Sequence, residues 1–349
     1  GHTRVQQSHP ADICIINTCS VTDAADHKGR QAIHHIRKLN PNATIIVTGC
    51  YAQLKPGEII SMPQVDFVHG ANDKFAIPSL IHNIEKNSAP TTNTIVSQQD
   101  NSTPFFPSYS KDDRTRCFLK IQDGCDNRCS YCIIPFGRGK SRSAEADFII
   151  SEINRYSKLG YKEVILTGIH IGLWGKENGQ ILLELLSRIE RETQIPRYRL
   201  GSLNPHEITP ELLDFLLTSE KFCPHFHMSL QSACNNTLKR MNRHYTTEFY
   251  LDQIEDIASR FNNPFLGCDI IAGFAGETEE DFYITVENLK KSKLSKIHVF
   301  PYSVKKGTAA EKMVAMSAPH SKGRQFTGVA KVLSMIRGTP WAWAASAQR

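Results

Sequence analysis

The sequence predicts an α/β protein in two domains, an open α/β domain over residues 1–85 and a partial (β/α)6 barrel over residues 114–313. Three observations lead there. At 349 residues the chain is long enough for two domains of ordinary size, each with its own core. Short apolar runs alternate with polar segments of helical period on both sides of a long polar stretch. Six strand-and-helix units follow that stretch, enough parallel strands to close partway into a barrel.

The first domain reads βαβαβ. Its strands are Asp12-Ile-Cys-Ile-Ile16, Ala43-Thr-Ile-Ile-Val47 and Val65-Asp-Phe-Val68, with a helix from Thr22 to Leu39 between the first two. Thr22 is the expected N-cap and Asn40-Pro41 the stop. An opening strand expected ahead of residue 12 is absent from the pattern, so this domain reads as incomplete. Residues 86–113, with Asn-Ser-Ala-Pro-Thr-Thr-Asn-Thr and Gln-Gln-Asp-Asn-Ser-Thr-Pro, read as a linker.

The barrel strands are expected at Cys117-Phe-Leu-Lys-Ile121, Glu163-Val-Ile-Leu-Thr167, Arg197-Tyr-Arg-Leu-Gly201, His225-Phe-His-Met-Ser229, Pro264 to Ile271, and Lys296-Ile-His-Val-Phe300. Barrels of this kind carry their chemistry on the loops that leave the strand C-termini. The loop after the first of these strands holds three cysteines.

Composition narrows the class without naming a function. Hydrophobic residues at 40% and charged residues at 22% suit an ordinary globular chain, so motifs must supply the chemistry. No apolar run approaches the ~20 residues of a membrane span, and no basic-then-apolar leader opens the chain, which points to the cytoplasm. In a reducing compartment ten cysteines read as metal ligands and buried thiols.

The net charge of +6 sits in the tail: no Asp or Glu follows Glu311, and the preceding body has 35 basic residues against 35 acidic ones. Attraction to phosphate must therefore come from a local set, Arg114, Arg116, Lys120, Arg128, Arg138, Lys140 and Arg142, beside the cysteine loop; the alternative is a solvated basic surface.

Cys125-x3-Cys129-x2-Cys132 offers three thiolates within eight residues, close enough for one loop to wrap a cubane of iron and sulfide. Structural zinc asks for four tetrahedral ligands, commonly two Cys-x2-Cys pairs, and no second pair exists here. Small or polar groups recur at the later strand ends: Thr167-Gly168, Ser202-Leu-Asn204, Ser229-Leu-Gln231 and the stretch Asp269 to Glu277 with Gly273 and Gly276. Each alone is an ordinary turn, but together they line the expected open face of the barrel. Cys19 and Cys50 each follow a strand in the first domain, in Asn17-Thr-Cys19-Ser-Val-Thr22 and Val47-Thr-Gly-Cys50-Tyr-Ala-Gln53. Cys14, Cys117, Cys223, Cys234 and Cys268 lack paired spacing and read as packing thiols.

The three-cysteine loop Gly124-Cys-Asp-Asn-Arg-Cys-Ser-Tyr-Cys132 resembles the signature of the radical S-adenosylmethionine (SAM) enzymes. That resemblance implies a [4Fe-4S] cluster on Cys125, Cys129 and Cys132, with one iron left open to SAM. It also implies that SAM is bound by Tyr131, Thr167, Gly168, Ser202, Gln231 and Gly273, and cleaved to a deoxyadenosyl radical. Cys19 and Cys50 extend the resemblance to the methylthiotransferases, which implies a second, auxiliary [4Fe-4S] cluster held in part by these two thiols. Its third ligand is expected before residue 12, in a segment this chain lacks.

Ile121-Gln-Asp-Gly-Cys125, Cys132-Ile-Ile-Pro-Phe, Arg138-Gly-Lys-Ser-Arg-Ser143 and His298-Val-Phe-Pro-Tyr-Ser303 resemble the branch acting on threonylcarbamoyladenosine beside the tRNA anticodon. The branches acting on isopentenyladenosine in tRNA or on a ribosomal protein are alternatives, as is a truncated, non-catalytic iron-sulfur or RNA-binding remnant. The resemblance implies the tRNA anticodon loop as substrate partner, an electron donor such as flavodoxin or ferredoxin, and a monomer; it assigns no residue a catalytic proton-transfer role. The family's terminal RNA-binding β-barrel is not expected here: residues 314–349, with Trp341-Ala-Trp343 and no acids, read as an atypical tail.

Overall fold

The computed structural model describes residues 2–6, 9–85, 93–97, 105 and 115–316. These divide into two units. Unit 1 takes the described residues of 1–103 together with 132–140 and 303–307; unit 2 takes those of 104–131, 141–302 and 308–316.

Unit 1 is built on a parallel sheet in the order β1 (Ile13–Thr18), β2 (Thr44–Gly49), β3 (Phe67–His69), β4 (Thr94–Ile95). Its helices are α1 (Asp23–Leu39), α2 (Cys50–Leu54), α3 (Pro56–Ile60), α4 (Ile77–Glu85) and α5 (Ile134–Arg138). α1 begins where the sequence placed its cap: Thr22 Oγ1 accepts the Ala25 N–H at 3.1 Å, with Asp23 and Asp26 in the first turn and Arg37 and Lys38 in the last.

β2 explains its own unbroken apolar run. Ile45 and Val47 pack with Ile33, Tyr51 and Ile59 in one cluster, while Ile46 packs with Ile77, Leu80 and Ile81 in another. Both faces of the strand are therefore covered, as parallel strands require, and burying each of these branched side chains stabilises the unit by about 1.5–3 kcal/mol. β4 falls inside the expected linker. It is a two-residue edge strand paired through Val68 and His69, too short to leave an apolar period in the sequence.

Unit 2 contains all six expected barrel strands. β5 (Arg116–Lys120) is followed by the short strands β6 (Gln122–Asp123) and β7 (Arg142–Ser143), then β8 (Glu163–Thr167), β9 (Arg197–Leu200), β10 (His225–Gln231), β11 (Phe265–Ala272) and β12 (Lys296–Pro301). β5-β8-β9 and β10-β11-β12 are parallel sheets, and parallel bridges Tyr198↔Phe222 and Leu203↔Met228 join them. The six long strands thus lie side by side in chain order, the partial (β/α)6 barrel.

Helices α6 (Ala146–Lys158), α7 (Leu182–Glu192), α8 (Pro210–Thr218), α9 (Asn235–Arg240), α10 (Thr247–Arg260) and α11 (Glu279–Lys291) connect the strands, and α12 (Ala309–Met316) follows β12. β10 shows how the core is specified: its residues alternate half-buried and buried, placing Phe226, Met228 and Leu230 inside. Phe226 meets Phe222 at 5.4 Å and Phe261 at 5.1 Å, both edge-on. β6 and β7 pair antiparallel, Gln122 with Ser143 and Asp123 with Arg142, and so close the base of the segment that carries Cys125, Cys129 and Cys132. Among the described residues no helix is long and apolar enough to cross a membrane. Most of the expected linker and the tail beyond residue 316 lie outside the described residues.

Candidate metal centre

The cysteine segment leaves the barrel through Gly124, whose φ of +74° turns the chain away from β6. One fully buried amide braces this foot. Gln122 Nε2 donates to the carbonyls of Asp123 (3.0 Å) and Gly124 (2.9 Å) and to Ser141 Oγ (2.9 Å), and its Oε1 accepts the His170 N–H at 2.7 Å. Asp123, also buried, accepts the Gly124 N–H at 2.9 Å and pairs with Lys120 (2.9 Å) and Arg142 (3.7 Å). Lys120 and Arg142 therefore serve the loop's foot rather than a free basic surface. Arg116, Arg128 and Lys140 are exposed, and Arg114 lies outside the described residues.

All ten cysteines are free thiols, and Cys125, Cys129 and Cys132 are each half-buried. In unit 2, two of them face nitrogen groups from later segments of the barrel, one after β8 and one between α9 and α10. Cys125 Sγ lies 3.5 Å from His170 Nδ1, and Cys129 Sγ accepts from Arg243 Nη1 at 3.4 Å. His170 Nε2 pairs with Glu207 Oε1 and lies against the amide of Asn204. Asn204 Nδ2 donates to Glu207 Oε1 at 3.1 Å, its Oδ1 accepts from Arg243 Nη2 at 2.5 Å, and Glu207 Oε2 accepts the Asn204 backbone N–H at 2.8 Å.

Burial works against a charged His170, but Cys125 and Glu207 outweigh it and push its pKa up to about 9. Glu207 is held below the usual carboxylate range: burial opposes its charge, and His170 and the Asn204 groups overcome that. His170, Glu207 and Arg243 carried no motif in the sequence. The only signal was a histidine three residues past a predicted strand end and a Glu after Asn204-Pro.

A thiolate-held cluster fits these residues. Among the described residues no three His, Cys, Asp or Glu groups converge as a single metal ion needs, with donors about 2.0–2.3 Å from one point. A four-iron cubane instead takes each thiolate on a different iron, so its sulfurs stand farther apart. The nitrogen groups facing Cys125 and Cys129 are of the kind that hydrogen-bond to metal-bound sulfurs.

Of the candidate SAM-binding residues, Tyr131 is on the cysteine loop and the other five stand at or just past the C-terminal ends of the barrel strands, the end from which that loop departs. Thr167 ends β8. Gly168 has a second reason to be glycine, because a Cβ there would lie 2.8 Å from the Gln122 carbonyl and 2.8 Å from Ile171. Ser202 Oγ pairs with His227 Nδ1 at 2.8 Å. Gln231 closes β10 in the left-handed region at φ +69°. Tyr131 packs edge-on to Phe274 at 6.2 Å, which brings it beside Gly273, whose N–H donates to Glu277 Oε2 at 2.6 Å.

Burial pushes the Glu277 carboxyl up to about 7, against the pull of the Gly273 N–H. The folded chain therefore holds a proton that the unfolded chain releases near 4.5, and stability falls as pH rises through that window. The ceiling is about 3 kcal/mol, reduced by solvent because the side chain is half-buried. Urea unfolding of the wild type should show a lower midpoint at pH 8 than at pH 5, and Glu277→Gln, which keeps an acceptor for Gly273, should lose that part of the difference. Identical pH slopes would contradict the assignment.

In unit 1, register brings the other two candidate ligands to neighbouring positions. Thr18 pairs with Gly49 at the ends of β1 and β2, so Cys19 and Cys50 are the residues that directly follow two paired strand ends, Cys50 as the first residue of α2. Gly49 has φ +98°, and a Cβ there would meet the Thr18 carbonyl oxygen at 2.3 Å; only glycine allows β2 to turn directly into α2. Thr18 Oγ1 adds a bond to the Thr48 carbonyl at 2.6 Å. Cys19 is exposed and Cys50 buried.

The remaining thiols pack in the core or at its edge. Cys117, Cys234 and Cys268 are buried, Cys14 and Cys223 are half-buried, and burial raises the pKa of each.

Two family descriptions match the chain: the Radical SAM superfamily over residues 119–289 and Uncharacterized protein family UPF0004 over residues 1–70. A threonylcarbamoyladenosine tRNA methylthiotransferase of Bacillus subtilis is 38% identical over 320 residues, 90% of this chain and 70% of that protein. A tRNA-2-methylthio-N(6)-dimethylallyladenosine synthase of Clostridium botulinum is 33% identical, covering 96% of this chain and 76% of its own length. Among solved structures, the radical SAM methyltransferase TsrM of Kitasatospora setae shares the fold at a TM-score of 0.61 and 15% identity, over 84% of this chain and 66% of that one. With the barrel, the cysteine loop and these relatives together, the chain belongs to the radical SAM methylthiotransferases, transferases that use SAM and a [4Fe-4S] cluster.

Proposed function

We propose that this chain inserts a methylthio group at C2 of threonylcarbamoyladenosine next to the anticodon of tRNA. The observation that carries this reading is the pair Cys19 and Cys50, which directly follow the paired strand ends Thr18 and Gly49, a second set of thiols far in sequence from the three-cysteine loop. A SAM-cleaving enzyme alone would need only the three-cysteine loop. The substrate follows from the names of relatives such as the Bacillus subtilis enzyme.

When bound, the clusters and SAM supply a one-electron break of the SAM carbon–sulfur bond and a place to hold the transferred sulfur. The residues do the rest. Cys125, Cys129 and Cys132 hold the radical cluster, on a loop whose foot Gln122 and Asp123 fix. Cys19 and Cys50 hold part of the auxiliary one. Tyr131, Thr167, Gly168, Ser202, Gln231 and Gly273 shape the SAM site at the strand ends. Exposed Arg116, Arg128 and Lys140 suit tRNA phosphates, and the target base leaves its stack to be reached. A flavodoxin or ferredoxin delivers the electron, and the enzyme acts as a monomer.

Mass spectrometry of tRNA nucleosides from cells lacking, then regaining, the complete protein tests the reading. Loss and return of 2-methylthio-threonylcarbamoyladenosine is expected. Loss and return of the dimethylallyladenosine product instead would move the chain to the other relatives' substrate, and an unchanged tRNA profile would overturn the tRNA reading.

A further inference from the structure

Cys125 and Cys129 each face a nitrogen donor, and the two donors are tied to one another. Glu207 and Asn204 make the tie, and the direction of every bond along it can be worked out. Arg243 can only donate, so the oxygen of Asn204 must face it, at 2.5 Å. That orientation turns Asn204 Nδ2 toward Glu207 Oε1, at 3.1 Å, and Glu207 in turn pairs with His170 Nε2. Opposite a sulfur that is bound to a cluster and only accepts, His170 Nδ1 must carry its hydrogen. The contacts therefore link one sulfur to the other, with Asn204 Nδ2 and His170 Nε2 crowded together where both meet Glu207 Oε1.

The unit is also held from outside. Arg243 Nε donates to Tyr245 Oη at 3.0 Å and its Nη2 to the Ser229 carbonyl at 3.0 Å. Tyr245 Oη donates to the carbonyls of Ser229 and Leu230, at 2.5 and 2.8 Å. The His170 backbone is fixed by Gln122. His170 is 4% exposed and Asn204 7% exposed, so water cannot readily replace either partner. Four strand ends, those of β6, β8, β9 and β10, contribute to this one assembly.

We propose that His170 and Arg243 are positioning residues that donate N–H bonds to the cluster-bearing sulfurs of Cys125 and Cys129, and that Asn204 and Glu207 lock them as one unit that raises the cluster's reduction potential. The inference rests on the reading of Cys125 and Cys129 as cluster ligands. Its physical basis is that an electron added to the cluster increases negative charge on the sulfurs, and N–H donors aimed at them stabilise the reduced form. Glu207 balances the donors' charge and fixes their aim.

The test uses the full chain, reconstituted anaerobically, with the cluster potential followed by redox titration and electron paramagnetic resonance. His170→Ala should retain about four irons per chain and shift the one-electron reduction equilibrium at least threefold, up to about tenfold, toward the oxidised cluster, tenfold being about 59 mV. Arg243→Met should shift it in the same direction, and Arg243→Lys should recover part of the change. Wild-type potential in an iron-loaded His170→Ala protein would overturn the proposal.

A variant that fails to load iron is replaced by a measurement on the wild type: with [15N]histidine labelling, the reduced cluster should show nitrogen hyperfine coupling that His170→Gln removes. No such coupling would equally overturn it. The ligand reading fails separately, through full iron loading and an unchanged cluster spectrum in Cys129→Ala.

Discussion

Cys129→Ala should end SAM cleavage, with deoxyadenosine release falling more than a hundredfold, beyond the roughly 10–100-fold typical of changes outside the ligand set. Cys129 is the middle of the three thiols and sits on a loop fixed at its foot by Gln122 and Asp123. A cubane held by two thiolates loses the anchor that presents its remaining iron, and apo protein accumulates. Anaerobic reconstitution, iron counting and chromatographic assay of deoxyadenosine check this. Cleavage retained at the wild-type rate would refute Cys129 as a ligand and leave the loop as a structural turn.

The fold and the cysteine loop were legible for the same reason. Each barrel strand is a short apolar run bounded by turn residues, as in Glu163-Val-Ile-Leu-Thr167, and the loop's spacing is local in sequence. β4 was not legible, because two edge residues make no period. Nor was the donor unit, for a different reason. His170, Asn204 and Glu207 follow the ends of β8 and β9 and Arg243 lies between α9 and α10, and their relation exists only once the barrel brings those segments together.

Lys120 and Arg142 show the opposite failure. Their charges were visible and read as available to phosphate, yet both are committed to buried Asp123. Sequence records a charge but not whether a buried carboxylate has already taken it.

Cys50→Ala should separate the two halves of the reaction: deoxyadenosine release within about twofold of wild type, the range of a change far from the chemistry, and no methylthio product in the full-length protein. Cys50 opens α2, and Cys125, Cys129 and Cys132 stand on the loop after β6, so its loss removes none of the three thiols of that loop. Cys50 is buried, and trimming its sulfur costs stability of about 1 kcal/mol, too little to unfold a domain but enough to invite a folding explanation. Cys19→Ala removes that ambiguity. Cys19 is exposed at the end of the neighbouring strand, its loss leaves the core intact, and the same loss of product is expected. If both variants instead lose deoxyadenosine release and product in equal measure, Cys19 and Cys50 do not serve a separate step. If Cys50→Ala fails while Cys19→Ala keeps full product, Cys50 matters for packing alone.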